Sequence, residues 1–240
     1  MPEPDGTARR WSMSPETAFP IFPALAADGL WCEVLAERPW RSPRPALFLD
    51  RDGVIIEEVE YPGDAAAVSL IPGAARAIAA ANHAQLAVVV VTNQSGIGRG
   101  YYGWDAFQSV EAAMRAALGA GGAAIDVVVA CPHHPDARRP YRHPDHPARK
   151  PNPGMVARAA SLVRLDLGRS WMVGDKAGDI AAGKSAGIAG GVHVLTGHGR
   201  AHRAMALALA DESFIVRPAD SIADLATVLP ELLAKTEPRR

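Results

Sequence analysis

Cysteine is scarce in this chain. Cys32 and Cys131 are the only two, too few for a disulfide framework and in keeping with a reducing compartment. No apolar run reaches the length of about 20 residues that a bilayer-spanning helix needs. The first residues carry Arg9 and Arg10, but Pro15, Glu16, Pro20 and Pro23 interrupt any apolar core behind them, which argues against a secretory leader. A cytoplasmic location, without a membrane partner, is expected. Charge of one sign is also missing: 25 Lys and Arg stand against 26 Asp and Glu, a formal net charge of -1. A general nucleic-acid binder needs a broad basic face, so nucleic acid is not an expected partner. Aromatic residues make up only 6% of the chain. Alanine is abundant instead, which suggests alanine-rich helices packed on strands of small residues.

The 240 residues suffice for one large domain or two small ones. Residues 1–44 differ from the rest. Met1 to Ser14 is polar and is expected to be disordered. From Ile21 to Trp40, Phe22, Leu25, Leu30, Trp31, Val34 and Leu35 have the spacing of a short helix, weakened by Gly29. Trp31, Cys32 and Trp40 read as packing residues. A linker over residues 38–45 then separates this N-terminal extension from a main domain at 45–236.

Apolar runs alternate with helical patterns through that domain. Strands are expected at Ala46–Leu49, Val68–Ile71, Leu86–Val91, Val127–Ala130, Ser170–Val173, Gly191–Leu195 and Phe214–Val216. Helices are expected after Pro72-Gly73 to about Ala81, and over Trp104–Leu118, Gly154–Leu167, Asp179–Ser185, Ala201–Ala210 and Ile222–Leu233. Fully apolar strands alternating with helices predict an α/β fold, a Rossmann-like doubly wound parallel sheet with helices on both faces. Residues 132–153, rich in proline, histidine and arginine, form a long loop, and loops of that length are usually functional.

Three of the strands end in polar clusters: Asp50 and Asp52, Thr92 and Asn93, and Asp175 with Asp179. Asp-Gly at 52–53 alone is equally a turn, and Thr92, Ser95 or Asp175 could merely cap a helix. Together they converge, because the crevice beyond the carboxyl ends of parallel strands is where such folds bind ligands. Clustered carboxylates favour Mg2+. The set therefore suggests metal-assisted phosphoryl transfer. Asp50 and Asp175, with a backbone carbonyl near Asp52, are expected to hold Mg2+. Asp50 is the nucleophile and forms an aspartyl-phosphate. Asp52, two positions along, is the general acid/base. Thr92 and the backbone after it bind phosphate oxygens, and Lys150 supplies a fixed positive charge. Arg51, Asn93, Gln94 and Ser95 flank these groups and join the substrate-binding set.

At these residues the chain resembles the haloacid dehalogenase superfamily of phosphatases. Asp-x-Asp at 50–52, Thr92 after its strand, Lys150, and Gly174-Asp175 with Asp179 match the four motifs in order. Five segments narrow the resemblance to the heptose bisphosphate phosphatases: 48–53, 91–100, 131–135, 149–155 and 172–176. The histidinol-phosphate phosphatases share the pattern. The resemblance spans about residues 46–235 and implies no large cap domain, Mg2+ dependence, and removal of the C7 phosphate from a heptose bisphosphate. It implies substrate contacts from Arg149, Lys150, Lys176 and the loop carrying Glu58 and Tyr61. These enzymes commonly carry a zinc loop, and here Cys131 and His133 match its first half. The second half reads His146-Pro-Ala148, without cysteine. Zinc on Cys131, His133, His143 and His146 is chemically possible, but a metal-free loop is the preferred reading.

A small phosphorylated substrate is thus the expected partner, and a monomer the expected state. A catalytically silent binding module, docking through residues 1–44, is the alternative of another class. His193, His198 and His202 lie away from the motifs and read as ordinary histidines.

Overall fold

A computed structural model describes residues 23–36, 40, 42–58 and 64–235. The expected disorder of Met1–Ser14 and the expected substrate contact at Tyr61 lie outside these residues. Among them, no helix is long and apolar enough to cross a membrane.

Seven strands form one sheet: β1 (Trp31–Val34), β2 (Arg44–Leu49), β3 (Ala87–Asn93), β4 (Val127–Cys131), β5 (Leu165–Gly174), β6 (Gly190–His193) and β7 (Ile215–Pro218), in the spatial order β1-β4-β3-β2-β5-β6-β7. Every pairing is parallel except that of β1 with β4. The chain winds outward from β2 to β4 on one side and from β5 to β7 on the other. The winding direction reverses between β2 and β5, which opens a crevice at their carboxyl ends.

The helices are α1 (Ala74–His83), α2 (Ser95–Arg99), α3 (Trp104–Ala120), α4 (Gly154–Leu162), α5 (Ala177–Ser185), α6 (Gly199–Leu207) and α7 (Leu225–Lys235). Alternate residues of the buried strands feed two cores. Leu47, Leu49, Val88 and Val90 pack with Ala77, Phe107, Met114 and Leu225 of α1, α3 and α7. Ala46, Phe48, Val89 and Val91 pack on the opposite face with Met155, Ile180 and Ala206 of α4, α5 and α6. Continuous apolar strands thus arise because both faces are covered. Between β2 and α1 the described residues contain a single 3-10 turn, Ala65–Ala67, and no cap domain.

Some expectations shift. The helix expected within residues 21–40 is replaced by β1, paired antiparallel to β4 with Trp31 opposite Ala130. Trp31 is buried and stacks on Trp104 at 5.4 Å. A domain boundary at 44 therefore cuts off a strand of the same sheet. Leu30 and Val34 have helical spacing, but pairing with β4 overrides it. The strand expected at Val68–Ile71 is reduced to an isolated bridge between Ile56 and Leu70. The helix expected to reach Leu167 stops at Leu162, and β5 begins at Leu165.

Candidate active site

Asp50 follows β2, Thr92 and Asn93 close β3, and Asp175 follows β5, so the sheet delivers all of them to one edge. Asp50, Asp175 and Asp179 bring carboxylate oxygens within 4.8 Å of one another. All three residues are buried. Such a cluster is electrostatically costly without a cation. Lys150 supplies one charge: its Nζ donates to Asp50 Oδ1 at 2.9 Å and to Asp179 Oδ1 at 2.7 Å. It also donates to the Val91 carbonyl at 2.8 Å. Burial works against the ammonium, but Asp179 and Asp50 outweigh it and raise its pKa.

One lysine does not neutralise three carboxylates. Burial, then the charges of Asp50 and Asp179, push the Asp175 carboxyl up to about 7. Its Oδ2 accepts the His198 backbone N–H at 2.7 Å. Its Oδ1 is buried without a partner. A hard divalent cation ligated by carboxylate oxygens fits that atom and that charge excess. Two glycines make room for the aspartate: a Cβ on Gly53 (φ +78°) would lie 2.8 Å from Asp175 Oδ2, and a Cβ on Gly197 (φ +56°) would lie closer still. Asp52 was expected beside the metal through a nearby backbone carbonyl; its carboxylate is not in this group, whereas that of Asp179 is. Arg51 reaches both Asp52 oxygens from Nη2, each at 3.1 Å, and Gln94 Nε2 donates to Oδ2 at 3.0 Å.

A cavity of about 230 Å³ opens over the cluster, lined by Asp50, Asp52, Glu58, Thr92, Asn93, Ser95, Arg149, Lys150, Lys176 and Asp179. The expected set is therefore largely gathered there. Asn93 has a positioning role as well: its side chain exchanges two hydrogen bonds with the backbone of Lys150, at 3.0 and 3.1 Å. Arg149 donates to the His133 carbonyl. Lys176 lies 3.5 Å from Glu58. Arg51 and Gln94 depart from expectation. Arg51 is fully buried and is not among the residues that line the cavity, and its guanidinium is committed to Asp52, Gln94 and Glu111. Gln94, also buried, donates to Thr92 Oγ1 at 2.8 Å and accepts from Tyr102 at 2.6 Å. Both residues support the site from behind.

Two histidines set aside on sequence grounds belong here. His193 places Nε2 2.8 Å from the Asp175 carbonyl. His198, besides holding Asp175, sets its own Nε2 3.3 Å from Glu58. Nothing local marks either one, since both arrive through β6 and the turn that follows.

The second metal-capable loop is arranged differently. Cys131 Sγ lies 4.0 Å from His146 Nδ1, which also accepts the Ala148 N–H. His133 and His146 stack at 3.8 Å and nearly parallel, and the His133 nitrogens face the carbonyls of Tyr141 and Asp28. The aspartate trio is the one group of three or more such side chains with converging ligand atoms among the described residues.

Residues 147–227 match a family model described as "HAD-hyrolase-like". The chain is 49% identical over 167 residues to a D-glycero-beta-D-manno-heptose-1,7-bisphosphate 7-phosphatase of Mesorhizobium japonicum, covering 70% of this chain and 77% of that one. A crystal structure of a HAD-like protein from Mesorhizobium loti superposes with a TM-score of 0.79 at 41% identity, covering 90% of this chain and 99% of that one. The D,D-heptose 1,7-bisphosphate phosphatase of B. bronchiseptica, solved with magnesium and phosphate, gives 0.68 at 31% identity, covering 78% and 98%.

Proposed function

The chain belongs to the HAD-like family of phosphatases, phosphoric monoester hydrolases, and from that premise we propose that it removes the C7 phosphate of D-glycero-D-manno-heptose 1,7-bisphosphate with Mg2+. The observation that carries the reading is the carboxylate trio with its unpartnered Asp175 oxygen, set against Lys150 at the floor of a small cavity. The similarity to heptose bisphosphate phosphatases supports the substrate. These relatives do not favour histidinol phosphate or a silent binding module.

Asp50, Asp175 and Asp179 would hold Mg2+, which when bound supplies the positive charge that lets an anionic nucleophile approach a dianionic phosphate. Asp50 attacks phosphorus through a carboxylate oxygen. The bond from phosphorus to the sugar oxygen breaks, and Asp52 gives that oxygen its proton. Asp52 then takes a proton from the water that hydrolyses the aspartyl-phosphate, which returns both aspartates to their starting state. Thr92 Oγ1 and the N–H groups of the following turn hold phosphoryl oxygens. Lys150 keeps Asp50 oriented and offsets charge that develops on the phosphoryl group. Arg149 and Lys176, at the cavity wall, attract the second phosphate of a bisphosphate.

A phosphate-release screen with Mg2+ tests the substrate. Both heptose 1,7-bisphosphate anomers and histidinol phosphate are compared by kcat/KM. The expected result is one phosphate released per heptose bisphosphate, with the anomeric phosphate retained. A higher kcat/KM for histidinol phosphate would replace the substrate reading.

A further inference from the structure

Asp52 must present its proton to a leaving oxygen, yet it stands in a loop and gains its orientation from elsewhere. The fully buried Arg51 holds it. Nε and Nη2 of that guanidinium both reach the Asp52 carboxylate, at 3.2 Å and 3.1 Å. The guanidinium is itself anchored from the far side. Its Nη1 donates to Glu111 Oε1 at 3.0 Å, and its carbon sits 5.2 Å from the Phe107 ring centre. Glu111 and Phe107 lie one turn apart on α3. Phe107 is in turn packed against Trp31 and Trp104, at 5.5 and 5.3 Å between ring centres. Glu111 is completely buried. A buried carboxylate in a helix otherwise packed by apolar side chains is costly unless its charge is used.

We propose that Glu111 is a positioning residue for the acid/base step: through Arg51 it fixes the direction in which Asp52 presents its carboxyl group to the leaving oxygen. The inference rests on the assignment of Asp52 as general acid/base. A planar guanidinium bound on opposite edges by two carboxylates has one orientation. With Glu111 neutral, Arg51 keeps its contacts with Asp52 and Gln94 but loses the charged anchor on α3, so the carboxylate it carries can turn. Glu111 touches neither substrate nor the carboxylate trio, so metal binding and ground-state binding stay as they are.

The leaving group separates this role from a structural one. A sugar alkoxide must be protonated as its bond to phosphorus breaks, whereas p-nitrophenolate leaves readily without an acid. In Glu111→Gln, kcat on the sugar phosphate is expected to fall about 30-fold, a fraction of what general-acid catalysis supplies. On p-nitrophenyl phosphate it is expected to fall less than about threefold, with KM for both nearly unchanged. Glu111→Asp keeps the charge on a shorter arm and is expected to recover part of the loss on the sugar phosphate. It also carries the comparison if Glu111→Gln fails to fold, since it should show the same substrate bias at smaller size.

Asp52→Asn is measured alongside as the reference. If Asp52→Asn shows the bias and the Glu111 variants lose both substrates equally, or lose neither, the positioning role is overturned while the acid/base assignment stands. If Asp52→Asn itself shows no bias, the assignment fails and the inference fails with it.

Discussion

The carboxylates beyond β2 and β5 and the imidazoles of the 131–146 loop are both drawn from residue types that bind metal, yet they are built in opposite ways. The aspartates stand at the ends of parallel strands and α5, so the sheet fixes where their oxygens meet. One of those oxygens is left buried without a partner, and burial with like charge drives Asp175 up to about 7. In the loop, Cys131 lies near a single histidine nitrogen, and the rings stack on one another and face backbone groups. Burial pushes the Cys131 thiol up to about 12 and, with the neighbouring histidines, takes His146 down to about 4. Among the described residues, converging ligand atoms with unmet charge are found at the aspartates.

The largest break in this contrast is expected from Lys150→Met. It removes the ammonium that donates to both Asp50 and Asp179 and leaves those carboxylates facing each other. Activity should fall by about 10³-fold, as for a lost transition-state contact, and urea unfolding should show a loss of about 3 kcal/mol. Near-wild-type stability would mean that the cluster is not charged as described. Asp179→Asn comes next. It is expected to raise the Mg2+ concentration for half-maximal activity about 10- to 100-fold. Asp52→Asn should leave that concentration unchanged and lower kcat instead. The reverse pattern would place the Asp52 carboxylate itself at the metal.

A smaller effect should follow pH. The raised Asp175 carboxyl means that the folded protein binds this proton more tightly than the unfolded chain does. In the metal-free protein, this group's contribution therefore weakens folding as pH rises from the ordinary carboxylate range to about 7. Mg2+ must displace the same proton. The rise in Tm on adding Mg2+ should accordingly be larger at pH 8 than at pH 6, and a rise independent of pH would count against Asp175 as a ligand. The smallest effect is expected from His146→Ala, a change under about 1 kcal/mol with no metal lost. A molar equivalent of zinc that disappears with this substitution would erase the contrast between the two regions.

Much of the site was legible because it is local. An apolar run that ends in Asp50-Arg51-Asp52, another that ends in Thr92, and a third that ends in Gly174-Asp175 are each visible within a few residues. The alternating order of strands and helices then gave the parallel sheet, and with it the common edge. The rest depends on contacts distant in sequence. Trp31 to Val34 has helical spacing until β4 claims it as an edge strand. Arg51 and Gln94 occupy motif positions, but whether they face substrate depends on Glu111 and Tyr102 behind them. Asp179 was visible beside Asp175, yet its place in the carboxylate trio requires knowing that the first turn of α5 folds back over Lys150. His198 carries no local signal at all, because its role comes from the turn after β6.

The central claim is that Asp50 takes the phosphoryl group in a Mg2+-dependent step. The most direct measurement is phosphate release from heptose 1,7-bisphosphate by wild type and Asp50→Asn, with and without Mg2+. The variant keeps the volume of the side chain and removes its charge and nucleophilicity. The expected result is release by wild type only when Mg2+ is present, and none above background by Asp50→Asn under either condition. Sustained release by Asp50→Asn, or release by wild type that survives complete removal of divalent metal, would contradict the claim.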